Sequence, residues 1–191
     1  MTDQLSDERS FYDLGVIHGR FQILHNDHLK YLLAGKALCE HLVVGITNPD
    51  PMLTREDETD RIRSTGLANP LSYFERYVLV RDVLLEAGLT CREFSVVPFP
   101  INLPELYFHY VPRQAVFFLS IYDDWGRKKR EAFRALGLKT HVLREVPPER
   151  KGISAADIRT AIIRDEPWEH LVPPSVAKKI KEWEIVRRLK Q

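Results

Sequence analysis

Two apolar runs and the helix pattern between them constrain this chain most. Leu14-Gly15-Val16-Ile17 lies within a predicted strand over 13–18, and His41-Leu42-Val43-Val44-Gly45-Ile46-Thr47 is a dense β-branched run. Between them, residues 28–39 carry Leu29, Leu32, Leu33 and Ala37 at helical spacing, interrupted by Lys36. Strand, loop, helix, strand is a βαβ unit, and such units build parallel sheets covered by helices. Helix and strand patterns then alternate. A helix is predicted over 72–87, closed by Gly88, and a strand over 94–98. An aromatic-rich connection over 100–112 leads to a buried-type strand over 115–119. A helix over 125–136 stops at Gly137, and a strand over 139–143 follows. A short helix over 155–163 and a final helix over 175–189, with Val176, Ile180, Trp183 and Val186 as its apolar positions, end the chain. The expectation is a Rossmann-like three-layer α/β fold with a parallel sheet and a helical C-terminal portion. One domain is expected over 1–191, with a flexible lead-in over 1–12 and the C-terminal portion over 164–191. Residues 50–70 are charged and aperiodic, and read as a long surface loop or lid.

Composition removes several function classes. Among 191 residues, Lys plus Arg is 28 and Asp plus Glu is 27, so a net charge of +1 gives no global field for nucleic acid. The basic C-terminal run, six cations and two carboxylates over 178–191, reads more simply as the wet face of a docked helix. Two cysteines exclude a disulfide scaffold and a four-cysteine zinc site. The start is acidic and polar, unlike a signal peptide, and no run approaches the ~18 apolar residues of a membrane span. A cytoplasmic protein with neither nucleic-acid nor membrane partners is expected.

The loop after the first strand carries the strongest chemistry. Gly19-Arg20-Phe21-Gln22 leaves the strand, and His25-Asn26-Asp27-His28 enters the helix. In open parallel sheets the binding crevice lies beyond the C-terminal strand ends. Gly19 lets backbone approach a ligand closely. His25 and His28, three apart, can face one pocket at the helix N-terminus, where orphan amides and the helix dipole favour anions. Phosphate binding leads the readings. Metal ligation with Asp27 as a third ligand, and a plain helix cap, stay open. The first strand is not followed by Gly-x-Gly-x-x-Gly, which disfavours a hydride-transfer dinucleotide enzyme.

The second constellation is Lys151-Gly152-Ile153-Ser154-Ala155-Ala156-Asp157-Ile158-Arg159. Ser154 with Asp157 three residues later is a capping box. Arg159 puts a cation in the first turns, against the dipole, where a bound phosphate chain would compensate it. A plain cap with a solvated arginine is the alternative.

Taken together, GRFQ…HNDH and ISAADIR resemble the His-x-Gly-His nucleotidyltransferase superfamily and its closing Ile-Ser-x-Thr-x-Ile-Arg motif. The branch most resembled is the archaeal-type nicotinamide-mononucleotide adenylyltransferase. Val97-Pro98-Phe99-Pro100-Ile101-Asn102, the tail Asp165-Glu166-Pro167-Trp168 through Val176, and Asn69-Pro70 with Phe74-Glu75-Arg76 are similar to further stretches of it. The resemblance implies nucleotidyl transfer: a phosphorylated acceptor attacks the α-phosphorus of a nucleoside triphosphate, pyrophosphate leaves, and Mg²⁺ helps to neutralise it. It gives His25 and His28 to the triphosphate and the transition state, and Gly19, Arg20 and Phe21 to the first-strand loop. Ile153, Ser154 and the following amides would hold β- or γ-phosphate, with Arg159 as clamp. Backbone at Thr47 and Asn48 would frame ribose or acceptor, and a homo-oligomer is suggested.

Departures from the pattern bear on the acceptor. Asp27 stands where the family has glycine, and is a candidate metal contact; Ile23 replaces a proline and Ala156 a threonine. In the resembled branch, an Asn-x-Asn stretch and a following tryptophan are associated with the nicotinamide ring. Asn102 matches the first asparagine, Pro104 replaces the second, and Tyr107 replaces the tryptophan as a possible stacking platform. Ile121-Tyr122-Asp123-Asp124-Trp125-Gly126 instead resembles the Gly-Asp-Asp-Trp element of glycerol-phosphate-type cytidylyltransferases, which brings in CTP and gives Asp123 and Asp124 to the ligand. The cationic run Arg127 to Arg130 is either a solvated helix face or a binder of acceptor phosphate. The expectation is AMP transfer from ATP to an acceptor such as a pyridine mononucleotide. CTP transfer to a small phosphate or phosphonate is the alternative, and a non-catalytic nucleotide-binding protein a third reading.

Overall fold

The computed structural model describes residues 11–50, 69–150 and 152–191. Most of the predicted lead-in and of the predicted lid over 50–70 therefore lies outside the described residues. The elements in chain order are β1 (Tyr12–Gly19), α1 (Asn26–Lys36), β2 (Cys39–Thr47), α2 (Tyr73–Glu86), β3 (Phe94–Phe99), α3 (Tyr107–Tyr110), β4 (Val116–Ile121), α4 (Asp124–Ala135), β5 (Lys139–Glu145), α5 (Ala155–Ile163), α6 (Pro174–Glu182) and α7 (Ile185–Leu189).

The five strands form one sheet in the order β3-β2-β1-β4-β5, and every pairing is parallel. This is the predicted Rossmann-like α/β fold. Alternation along the strands sends apolar side chains to two cores. Ile17, Leu42, Val44, Ile46 and Phe118 face one core, which α1, α2, α5, α6 and α7 cover. Val16, Val43, Phe117 and Leu119 face the other, which Tyr107 of α3 and Phe133 of α4 close. Burial on both faces is why these strands read as near-continuous apolar runs. The order places β1 between β2 and β4, so the winding reverses there and a crevice opens at the strand ends.

The predicted final helix is two. Glu184 takes a left-handed conformation (φ 52°) and separates α6 from α7. The spacing of buried residues explains the break. Val176 and Ile180 lie four apart, as do Ile185 and Leu189, but Ile180 and Ile185 lie five apart. A continuous helix would turn the second pair off the first pair's face. The break restores both pairs to the core. All six cations of this segment have carboxylate partners: Lys178 and Lys179 with Glu182, Lys181 with Glu169, Arg187 with Glu184, Arg188 with Glu75 and Lys190 with Asp165. Among the described residues no helix is long and apolar enough to cross a membrane.

Candidate active site

A cavity of about 340 Å³ opens where β1, β2 and β4 end, and the N-termini of α1, α4 and α5 meet it. Gly19, Arg20 and Phe21 from the first-strand loop line it, with His25, Asp27 and His28 from α1. Ile153 and Ser154, Asn48, Asn102 and Asp123 line it too. The two motifs read in the sequence are thus brought to one place from opposite ends of the chain.

His25 and His28 cap their own helix reciprocally. The His28 N–H donates to His25 Nδ1 (3.3 Å) and the His25 N–H donates to His28 Nδ1 (3.4 Å). Because each Nδ1 accepts, a neutral ring must carry its proton on Nε2. The rings stack with centroids 3.6 Å apart, and the Phe21 ring stands edge-on to His28 at 5.1 Å. Phe21 adopts a left-handed backbone (φ 51°) to reach this place, and its ring folds over Gly19, where a Cβ would stand 2.9 Å from it. The glycine at 19 therefore makes room for Phe21, a reason local sequence does not display. Burial pushes His25 down to about 4, against the pull of Asp27 and Asp157. Burial, then the neighbouring His25 and Arg20, hold His28 well below the usual histidine range. Near neutral pH the pair consists of two uncharged N–H donors.

The second helix start is built in the same way. Ser154 Oγ accepts from the Asp157 N–H (3.3 Å), and Asp157 Oδ2 accepts from the Ser154 N–H (2.8 Å) and hydroxyl (2.7 Å). The N–H groups of Ala155 and Ala156, in the first turn of α5, have no intrahelical acceptor. Asp27 joins the two starts. Its Oδ2 accepts the Ile153 N–H (2.9 Å), 126 residues away, and its Oδ1 pairs with Lys30 (2.8 Å). Burial raises the Asp27 carboxyl, and Lys30 with the Ile153 amide more than offsets it, so the net shift is downward. Gly152 has φ +84°, and a Cβ there would collide with Asp27 Oδ2. Asp27→Gly is expected to lower stability by about 1–2 kcal/mol through loss of this strap. Thermal denaturation checks it, and an unchanged midpoint would mean the strap carries nothing.

Two residues hold the loops that line the cavity. Gln22 forms a paired bond with Leu71, donating to its carbonyl and accepting from its N–H, both at 2.9 Å. Arg76 is 2 % exposed. Its guanidinium donates to the carbonyls of Arg20 (3.1 Å), Thr47 (2.7 Å), Asn48 (2.8 Å) and Ser72 (3.2 Å). Burial pushes it down to about 10, so it stays charged.

Three predicted site residues stand elsewhere. Tyr107 is buried in the second core, its ring tilted against Phe99 with centroids 4.5 Å apart, and its hydroxyl donates to the Ile101 carbonyl (2.5 Å). It offers no platform to a ligand. Asp124 is exposed and pairs with Arg127 (2.9 Å), while its neighbour Asp123 caps α4 by accepting from the Gly126 N–H (2.8 Å) and lines the cavity. Arg159 donates to the Gln22 carbonyl behind the first-strand loop and is absent from the cavity lining, because its position in α5 faces that loop. Conversely, His18 and Tyr31 line the cavity and were not singled out as site residues, while Lys129 is the member of the cationic run Arg127 to Arg130 that lines it. His18 carried a legible signal, as a polar residue closing an apolar strand at its crevice end. Tyr31 carried none, since its hydroxyl is fixed by the distant Phe118 carbonyl (2.7 Å).

A parallel sheet with three helix N-termini opening on one crevice presents amides and dipoles that suit a phosphate chain. No known family model matches the chain. It is 48% identical over 176 residues to a phosphonoformate cytidylyltransferase of Streptomyces viridochromogenes, covering 92% of this chain and 95% of that one. It is 32% identical over 178 residues to a nicotinamide-nucleotide adenylyltransferase of Thermococcus kodakarensis, covering 92% and 86%. The fold is shared with a bifunctional NMN adenylyltransferase/ADP ribose pyrophosphatase of Francisella tularensis, at a TM-score of 0.67 and 14% identity. That match covers 94% of this chain and spans about half the length of the solved one, 53%. The chain belongs to the nucleotidyltransferase family that holds these cytidylyl- and adenylyltransferases. It is an enzyme that transfers a nucleotidyl group to a small phosphorylated acceptor.

Proposed function

We propose that this enzyme transfers CMP from CTP to a small phosphonate or phosphate acceptor of the phosphonoformate type, releasing pyrophosphate. The observation that carries this reading is the missing slot for a nicotinamide ring. Tyr107 is buried with its hydroxyl committed to Ile101, and Pro104 has no side-chain amide. The amide of a pyridine mononucleotide would lose partners on entering, which is costly in a closed site. The 48% likeness to a cytidylyltransferase, and Asp123 and Trp125 on the cavity wall, support CTP over the ATP favoured by the sequence.

In this reading a phosphonate oxygen of the acceptor attacks the α-phosphorus of CTP. The bond to the β-phosphate oxygen breaks and pyrophosphate leaves with its electron pair. The protein aligns the two anions and stabilises charge as it shifts. The Nε2–H groups of His25 and His28 donate to the triphosphate, and the free amides at the start of α5, beside Ile153 and Ser154, receive its end. Arg20, Phe21 and Gly19 wall the first-strand loop, and Asn48 and Asn102 border the reacting groups. Arg159 acts as a positioning residue through Gln22. Among the described residues no group of three or more His, Cys, Asp or Glu is gathered to hold a metal. This fits Mg²⁺ delivered on the triphosphate, with water and phosphate oxygens as its ligands. We assign Asp27 to the strap that joins the two helix starts, through the Ile153 N–H and Lys30.

The test is pyrophosphate release with CTP and ATP in parallel, against phosphonoformate, methylphosphonate, nicotinamide mononucleotide and nicotinate mononucleotide. CTP with phosphonoformate is expected to exceed every ATP–pyridine pair by at least ~10²-fold in kcat/KM, the size of discrimination that a few kcal/mol of differential binding gives. Efficient turnover of ATP with a pyridine mononucleotide would overturn the reading.

A further inference from the structure

His18 is a histidine for which the fold has no evident use. It closes β1 at its crevice end and is 7 % exposed. Its ring lies against Phe99 (centroids 5.5 Å, stacked) and edge-on to Phe133 (5.6 Å). Its Nε2 is buried without a hydrogen-bond partner, yet the residue lines the cavity. A packed hydrophobic residue would fill the same space without the desolvation cost of an orphaned polar atom. An unpartnered polar atom just behind the wall, in a residue that borders the cavity, points to a ligand group.

The surroundings say which group. Lys129 of α4 lines the same wall, its Nζ 4.5 Å from the centre of the Trp125 ring. Burial first, and then the charge of Lys129, hold the His18 ring uncharged. The neighbourhood therefore offers one cation and a neutral N–H donor, which together suit an anion. The side of the sheet settles which anion. His18 shares its face of β1 with Val16 and the second core, whereas α1 and α5, whose N-termini take the triphosphate, cover the first core. The aromatic floor of Phe99, Tyr107 and Phe133 leaves no flat slot beneath, so the occupant is compact.

We propose that His18 and Lys129 form a specificity subsite that binds a second acidic group of the acceptor, a carboxylate set next to the attacking phosphonate or phosphate. This rests on the reading of a small acceptor above and names what distinguishes a good one. The carboxylate accepts from the N–H of the His18 ring and pairs with Lys129, so it pins the acceptor while its phosphonate end is left to attack.

The test compares kcat/KM for phosphonoformate with that for methylphosphonate, which lacks the carboxylate, using CTP and Mg²⁺. The wild-type ratio is expected to exceed ~30, and His18→Leu to cut it about tenfold or more, since a charge-assisted hydrogen bond is lost. His18→Asn, which keeps a donor, is expected to recover part of the ratio. Lys129→Met reads the same ratio without touching the buried position, should His18→Leu fail to fold. A merely structural role for His18 would lower both acceptors together. A wild type active on CTP and phosphonoformate, with its ratio unmoved in the variants, would overturn this inference alone. A wild type inactive on that pair would overturn the functional reading and this inference with it.

Discussion

His28→Ala is expected to lower the rate of the chemical step by about 10²–10³-fold, the usual cost of removing one preorganised donor from a developing charge. The ring is held for that task on three sides: stacked on His25, edge-on to Phe21, and fixed by the bond from the His25 N–H to its Nδ1. Its one remaining polar atom is therefore aimed before substrate arrives. The helix itself should survive the change, because the bond from the residue-28 backbone N–H to His25 Nδ1 needs no side chain at 28. The loss should fall on kcat more than on the KM for CTP, as expected for a contact that strengthens in the transition state. Single-turnover rates at saturating CTP measure it directly. Full retained turnover would remove His28 from the mechanism.

Arg76→Ala is expected to be the most damaging change for the fold near the site, at about 3 kcal/mol or more. Four carbonyl oxygens, those of Arg20, Thr47, Asn48 and Ser72, would lose their donor together. Three of them belong to loops beside the cavity, so activity per folded molecule should fall as well. Arg76→Lys keeps a charge but not the planar fork, and is expected to recover little. Urea denaturation with a parallel rate assay checks both. A lysine variant equal to the wild type would show that charge alone, and not the fork, holds these loops.

The features legible in the sequence share one property: their causes are local. The βαβ opening follows from periodicity within residues 13–47, and the caps at His25 and Ser154 lie three residues from their partners. The helix over 155–163 matches α5 for the same reason. What escaped was set by distant parts of the chain. Tyr107 reads as a stacking platform until Phe99 and Phe133 close around it. Arg76 is one charged residue in an amphipathic helix until three loops bring their carbonyls to it. Arg159 reads as a phosphate clamp until the first-strand loop supplies the Gln22 carbonyl. The break at Glu184 was legible in principle, in the five-residue step from Ile180 to Ile185, but a loose count of apolar positions passes over it.

The strap between Asp27 and Ile153 also constrains the residue beside it. Where the family pattern has glycine between its two histidines, position 152 is under no pressure from a carboxylate. Here a side chain at 152 would occupy the place of Asp27 Oδ2. Glycine at 152 serves both its left-handed backbone (φ +84°) and the Asp27 carboxylate, so a side chain there is expected to strain the turn and push the strap aside. Across related chains an aspartate at 27 is expected to go with glycine at 152, although the two lie 125 positions apart.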